Sequence, residues 1–134
     1  MICVLDACAM IALLKGEPGE SVVWEHLNNP QNACHAHAIN LCEVYYDVFR
    51  DAGEGTAQQA IQDLKKLGIN ERRDLDEAFW QEAGALKARH ARVSLADCCA
   101  IALTRRVGGT LMTSDHREME RLRELGVCSI LFIR

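Results

Sequence analysis

Short apolar runs alternate with longer stretches of helical period from one end of this chain to the other, and that alternation is what most restricts its fold. Strands separated by helices must cross over before pairing, so they lie parallel, and the pattern predicts an α/β protein built on a parallel sheet. Apolar runs place strands near Ile2–Leu5, Ala33–Ala36, Gly68–Glu71, Thr110–Met112 and Val127–Phe132. Helices are expected over about Ala7–Lys15, Glu20–Leu27, Leu41–Asp51, Thr56–Leu67, Leu75–Arg89, Leu95–Arg106 and Arg117–Leu125. Pro18-Gly19, Asn28-Asn29-Pro30, Gly53, Gly55, Gly108-Gly109 and Gly126 punctuate their ends. A length of 134 residues, 49% hydrophobic and 25% charged, suits one soluble domain over residues 1–134 with a core of its own.

Four acids stand at the polar ends of these runs. Asp6, Glu43, Asp97 and Asp115 each fall where a strand gives way to a helix or a helix begins. Side by side in one sheet, such ends form a common rim, and four carboxylates gathered there repel one another unless a positive charge sits among them. A hard divalent cation such as Mg²⁺ or Mn²⁺ suits that role, because it prefers oxygen ligands and pairs carboxylates with substrate phosphates. Helix capping is the competing explanation. Asn40-Leu41-Cys42-Glu43, Ser94-Leu95-Ala96-Asp97, Asp74-Leu75-Asp76-Glu77 and Asp115-His116-Arg117-Glu118 all resemble capping boxes, and any one acid alone is explained better by a cap than by a ligand. Capping leaves Asp6 unexplained, since an unpaired carboxylate at the end of a buried strand is costly.

Charge is unevenly spread. Residues 1–64 hold two basic side chains against nine acids, whereas residues 65–134 hold thirteen against ten, within a total of −4. Arg89, Arg92, Arg105, Arg106, Arg117, Arg121 and Arg123 are enough for a local phosphate-attracting face, or simply for solvated helix surfaces. Seven cysteines with no C-x-x-C pair match neither a disulfide framework nor a zinc finger, and read as reduced thiols of a cytoplasmic protein. Met1–Leu14 lacks the basic start and cleavage site of a signal peptide, and no apolar stretch is long enough to span a bilayer. His35 and His37, two apart on a strand, share a face, but no second ligand pair stands at zinc spacing. Trp24, Tyr45, Tyr46, Phe49 and Trp80 fall at helical positions and read as core or subunit contacts rather than base-stacking platforms.

Val4-Leu5-Asp6-Ala7, Asn40-Leu41-Cys42-Glu43-Val44, Ser94-Leu95-Ala96-Asp97 and Thr113-Ser114-Asp115 together resemble the four acidic motifs of the PIN-domain ribonucleases, in particular the VapC-type toxins of bacterial toxin–antitoxin pairs. The similarity covers nearly the whole chain, with the motifs in family order. It implies a three-layer fold, a mainly parallel sheet of about five strands flanked by helices, and a Mg²⁺- or Mn²⁺-dependent endoribonuclease acting on single-stranded RNA. Asp6, Asp97 and Asp115 would then be metal ligands, and Glu43 a ligand or the acceptor of a proton from the attacking water. A cognate antitoxin and a homodimer are the partners implied. One position departs from the family: a hydroxyl residue is common two places after the first acid, and this chain has Cys8, leaving Thr113 or Ser114 to supply a hydroxyl. That departure keeps a second reading open, a degenerate PIN-like module that binds RNA or a protein without cutting.

Overall fold

A computed structural model describes all 134 residues. The element order is β1 (Ile2–Leu5), α1 (Ala7–Lys15), α2 (Glu20–Asn28), β2 (Ala33–His37), α3 (Ala38–Ala52), α4 (Glu54–Lys66), β3 (Ile69–Arg72), α5 (Glu77–Arg89), α6 (Leu95–Val107), β4 (Thr110–Thr113), α7 (Arg117–Glu124) and β5 (Ser129–Phe132). All five expected strands form one sheet of order β3-β2-β1-β4-β5, with every neighbouring pair parallel. From β1 the chain winds outward through β2 and β3, then returns to add β4 and β5 on the other side. The carboxyl ends of β1 and β4 therefore meet where the winding reverses, the usual place for a site in an open α/β sheet.

Alternation along the strands splits the core in two. Cys3 and Leu5 face α1 to α4, packing with Met10, Val23, Val44 and Leu64. Val4 points the other way, toward α5, α6 and α7, among Phe79, Ile101, Leu103, Leu111 and Met119. The sheet is thus the middle of three layers. Gly109 lets β4 enter beside β1, because a Cβ there would lie 2.7 Å from the Ile2 carbonyl oxygen. All seven cysteines are free thiols, four of them buried. No helix is long and apolar enough to cross a membrane.

Three helix starts differ from expectation. α3 begins at Ala38 rather than Leu41, and its cap is His37, whose Nδ1 accepts from Ile39 N at 3.1 Å. Histidine is not among the favoured capping residues, so the sequence pointed to Asn40 instead. α5 begins at Glu77 and is capped by Asp76, whose Oδ2 accepts from Phe79 N at 3.4 Å, while the Asp74 carboxylate is held by Arg72 and Arg106 at 2.9 and 3.0 Å. α4 starts two residues early, at Glu54.

Candidate active site

Asp6 continues the line of β1. Its amide donates to Met112 O at 3.3 Å, one step beyond the Leu5–Met112 pairing, and its Oδ1 accepts from Ala9 N at 2.9 Å. Contrary to expectation, then, Asp6 is a cap, that of α1. The cap occupies only one oxygen. Asp6 is 1% exposed, and its Oδ2 is buried with no hydrogen-bond partner. A buried carboxylate oxygen left so costs free energy that capping does not recover.

The other three acids gather around the same rim. Thr113, buried at the end of β4, accepts from Asp115 N with its Oγ1 at 3.0 Å, and Asp115 Oδ1 accepts from Arg117 N at 3.0 Å, which fixes the turn into α7. Asp97 lies in the first turn of α6, where its amide donates to Ser94 Oγ at 3.1 Å. Half of the expected capping box is therefore made, but the Asp97 carboxylate makes no return bond to the Ser94 amide. Glu43, one turn into α3, caps nothing, and its Oε1 is buried without a partner. The orphaned buried side-chain atoms are Asp6 Oδ2, Glu43 Oε1, Asn40 Oδ1 and His35 Nδ1, so two of the four belong to the acids.

Electrostatics link the group. Burial, then repulsion from Asp97 and Glu43, pushes the Asp6 carboxyl up to about 7, with the Thr113 hydroxyl and Ala9 amide offsetting part. Glu43 is raised by burial and by Asp97, against the pull of the Tyr46 hydroxyl. Asp97 is raised by burial and by Asp115, with the Ser94 hydroxyl opposing. Asp97 is the hub, in electrical contact with the other three. Cys8 is exposed at the start of α1, yet the protein around it, followed by Asp6 and Asp97, pushes its thiol up to about 12 while Ser114 pulls the other way. A thiol so far from ionising is no nucleophile.

The donor set fits a hard divalent cation. It is all carboxylate, it holds two buried oxygens with no partner, and the Asp6, Glu43 and Asp97 carboxyls are each raised by burial and by a neighbouring acid for want of positive charge. As the side chains stand, no three His, Cys, Asp or Glu converge closely enough to hold a metal ion, so binding one requires them to turn inward. The surface concavities, about 300, 400 and 450 Å³, lie along α1 to α4 rather than over the acids.

Other candidates fall away from the rim. His37 is buried and stacked on Phe79 at 5.1 Å, with Nε2 on the Asp74 carbonyl at 2.8 Å and Nδ1 used as the α3 cap, so neither nitrogen is free for zinc. His116 stacks on Phe132 at 4.1 Å and bonds Arg134 O and Glu120. Trp24, Tyr46, Phe49 and Trp80 are exposed and belong to no core, whereas Tyr45 packs against it. The residue whose place sequence reasoning missed is Asn40. It is buried beside Glu43 and bonds the backbone next to Asp97, where a cap was expected.

The family model of the PIN domain matches residues 3–125, a span that includes all four acids. The chain belongs to the PIN domain family. Solved structures align over almost the full length of this PIN domain at low identity. A chain of VapBC2 from Rickettsia felis, bound to a DNA fragment from its promoter, is 17% identical with a TM-score of 0.75, covering 98% of each chain. VapBC-1 from nontypeable Haemophilus influenzae gives 18% and 0.74, covering 99% of this chain and 98% of its own. VapC20 from Mycobacterium tuberculosis, a toxin that cleaves the sarcin–ricin loop, gives 15% and 0.72, covering 89% and 94%. A comparison with curated protein sequences finds no match. Such likenesses establish the fold, a PIN fold, and the PIN family is one of nucleases.

Proposed function

We propose that this PIN domain is a metal-dependent endoribonuclease that hydrolyses phosphodiester bonds of single-stranded RNA, and that it is the toxin of a toxin–antitoxin pair. The observation that carries the reading is the buried, partnerless Oδ2 of Asp6, set at the switch point of the sheet among three further carboxylates. Asp6, Asp97 and Asp115 would hold one or two Mg²⁺ or Mn²⁺ ions. When bound, such a cation lowers the pKa of water and neutralises charge on the phosphate. The chain's own residues do the rest. Thr113 fixes the turn that presents Asp115, and Ser94 fixes the helix start that presents Asp97. Glu43, its proton affinity raised by burial and by Asp97, is suited to take the proton of an attacking water, with the Tyr46 hydroxyl beside it.

Substrate form and partner follow from the surroundings. An open rim suits a polymer that lies across the surface rather than a small molecule that fills a cavity. Arg117 stands two residues beyond Asp115, and neither it, Arg89 nor Arg121 has a carboxylate partner, so all three are available to phosphates. VapBC complexes among the structural relatives support a cognate antitoxin, whose basic side chain would enter the acidic rim, and the exposed aromatics support a homodimer. The whole of residues 1–134 would act as one such unit in the cytoplasm.

The test is cleavage of single-stranded RNA by purified protein with EDTA, then with Mg²⁺ or Mn²⁺ restored. Loss with EDTA, return with metal, and loss in Asp6→Asn, Asp97→Asn and Asp115→Asn is expected; full activity in two of those three variants refutes the site. Growth arrest on expression, relieved by the neighbouring antitoxin gene, is expected of a toxin, and normal growth with soluble protein counts against that role alone. Cys8, in place of a hydroxyl residue, favours the second reading of a non-cutting RNA-binding module. Metal binding and RNA binding without cleavage would establish it.

A further inference from the structure

Two of the acids are placed by strands and two by helices. Asp6 and Asp115 follow β1 and β4, which are adjacent and held in register by main-chain bonds. Glu43 and Asp97 ride on α3 and α6, so their separation depends on how those helices sit together. One hydrogen bond joins α3 to the first turn of α6: Asn40 Nδ2 donates to the Ala96 carbonyl at 3.3 Å. Asn40 lies one helical turn before Glu43 on the same face, and Ala96 immediately precedes Asp97.

Asn40 is 0% exposed, and its Oδ1 has no partner. Packing alone does not call for such a residue, because an apolar side chain cut to the space fills it without burying an unsatisfied oxygen. Nor is it a cap, since α3 starts two residues earlier and His37 caps it. The amide's orientation is fixed as well. Turned over, it would set its oxygen against the Ala96 oxygen, so Nδ2 must face Ala96 and Oδ1 the other way.

We propose that Asn40 is a positioning residue of the acid site, its bond to the Ala96 carbonyl setting where Asp97, a metal ligand, and Glu43 stand relative to each other and to the strand-borne acids. The inference rests on the metal-site reading above. It assigns Asn40 no contact with substrate, only control of two acids through the backbone that carries them.

Mn²⁺ binding, followed by loss of the free-ion EPR signal on titration of the whole chain, reads this without any cleavage assay. Asn40→Leu removes the donor at matched branching and heavy-atom number, and Asn40→Asp removes it at matched shape while adding a charge. Both should weaken Mn²⁺ binding by about tenfold or more, the usual effect of losing a group that orients a metal ligand, while each still melts in one cooperative transition in EDTA. Asp97→Asn serves as the control for the site itself. A purely structural role predicts a lower melting temperature with wild-type Mn²⁺ affinity, and wild-type affinity in Asn40→Leu with loss in Asp97→Asn overturns the inference and leaves the metal site standing. Tighter binding by Asn40→Asp also overturns it, since charge rather than position then governs. If Asn40→Leu does not fold, Asn40→Asp decides. A wild type that binds no Mn²⁺ removes both the site and the inference.

Discussion

Replacing Asp6 by asparagine should stabilise the isolated chain while abolishing its activity, and the gain should grow with pH. Asparagine caps a helix as well as aspartate does, so the bond from Ala9 N to Oδ1 survives. What disappears is the charge. The Asp6 carboxyl is raised from an ordinary 3.8 to about 7, so the folded chain binds a proton there more tightly than the unfolded chain. Below pH 3.8 both states are protonated and the group costs nothing. As pH rises from 3.8 to about 7 the unfolded chain ionises first and the folded state pays increasingly for keeping or losing its proton, and above that range the cost is constant.

A carboxyl raised from 3.8 to about 7 costs the folded state about 4 kcal/mol when the effect is fully expressed, less than half of it present at pH 5 and nearly all at pH 8. Between those two pH values the stability gap between Asp6→Asn and wild type should therefore widen by about 2 to 3 kcal/mol. Urea denaturation of both proteins in EDTA at pH 5 and pH 8 measures it directly, since the difference cancels every other titrating group to first order. A gap that does not change with pH, or a variant less stable than wild type at pH 8, refutes the claim that Asp6 is a strained, unpaired carboxylate. Saturating Mg²⁺ at pH 8 should close the gap from the wild-type side, because the cation removes the repulsion that the substitution removes covalently.

Two further outcomes follow from the same rim. Wild type should gain about 2.7 kcal/mol from Mg²⁺ at a hundred times its dissociation constant, and Asp97→Asn much less, so equal metal-induced shifts of the two melting curves would take Asp97 out of the site. Cys8 and Cys42 are both exposed, but the Cys8 thiol is held up to about 12, so iodoacetamide at pH 8 should modify Cys42 well before Cys8, as read by peptide mass spectrometry. Equal rates would mean that neither burial nor the acids hold the Cys8 thiol up.

The strands and most helices were legible because their signals are local. The unbroken apolar run of β1, the glycines that close α6, and Ser94 as a cap each act within a few residues, and each appears in the fold as read. Asp6 and Asp115 were legible as neighbours because strand ends share a rim, a consequence of parallel topology, whereas Glu43 and Asp97, carried on α3 and α6, were grouped with them by the resemblance of their motifs. Individual roles were harder to read. Asp6 is both cap and partnerless carboxylate, because one of its oxygens accepts from Ala9 N and the other, although the Thr113 hydroxyl lies near the carboxyl, has no hydrogen-bond partner, and a sequence does not distinguish the two oxygens of a carboxylate.

Asn40 and His37 were misread for a related reason. Both their contacts are tertiary or depend on one: Asn40 reaches 56 residues along the chain to Ala96, and His37 takes up a capping role only while Phe79 and the Asp74 carbonyl hold its ring in place. A local rule assigned the cap to the residue type that usually makes it, and packing gave that bond to the histidine. The asparagine was thereby left free to join the two helices. The same displacement ties fold to site, since a cap at Asn40 would have begun α3 three residues later and removed the turn from which the Ala96 carbonyl is reached.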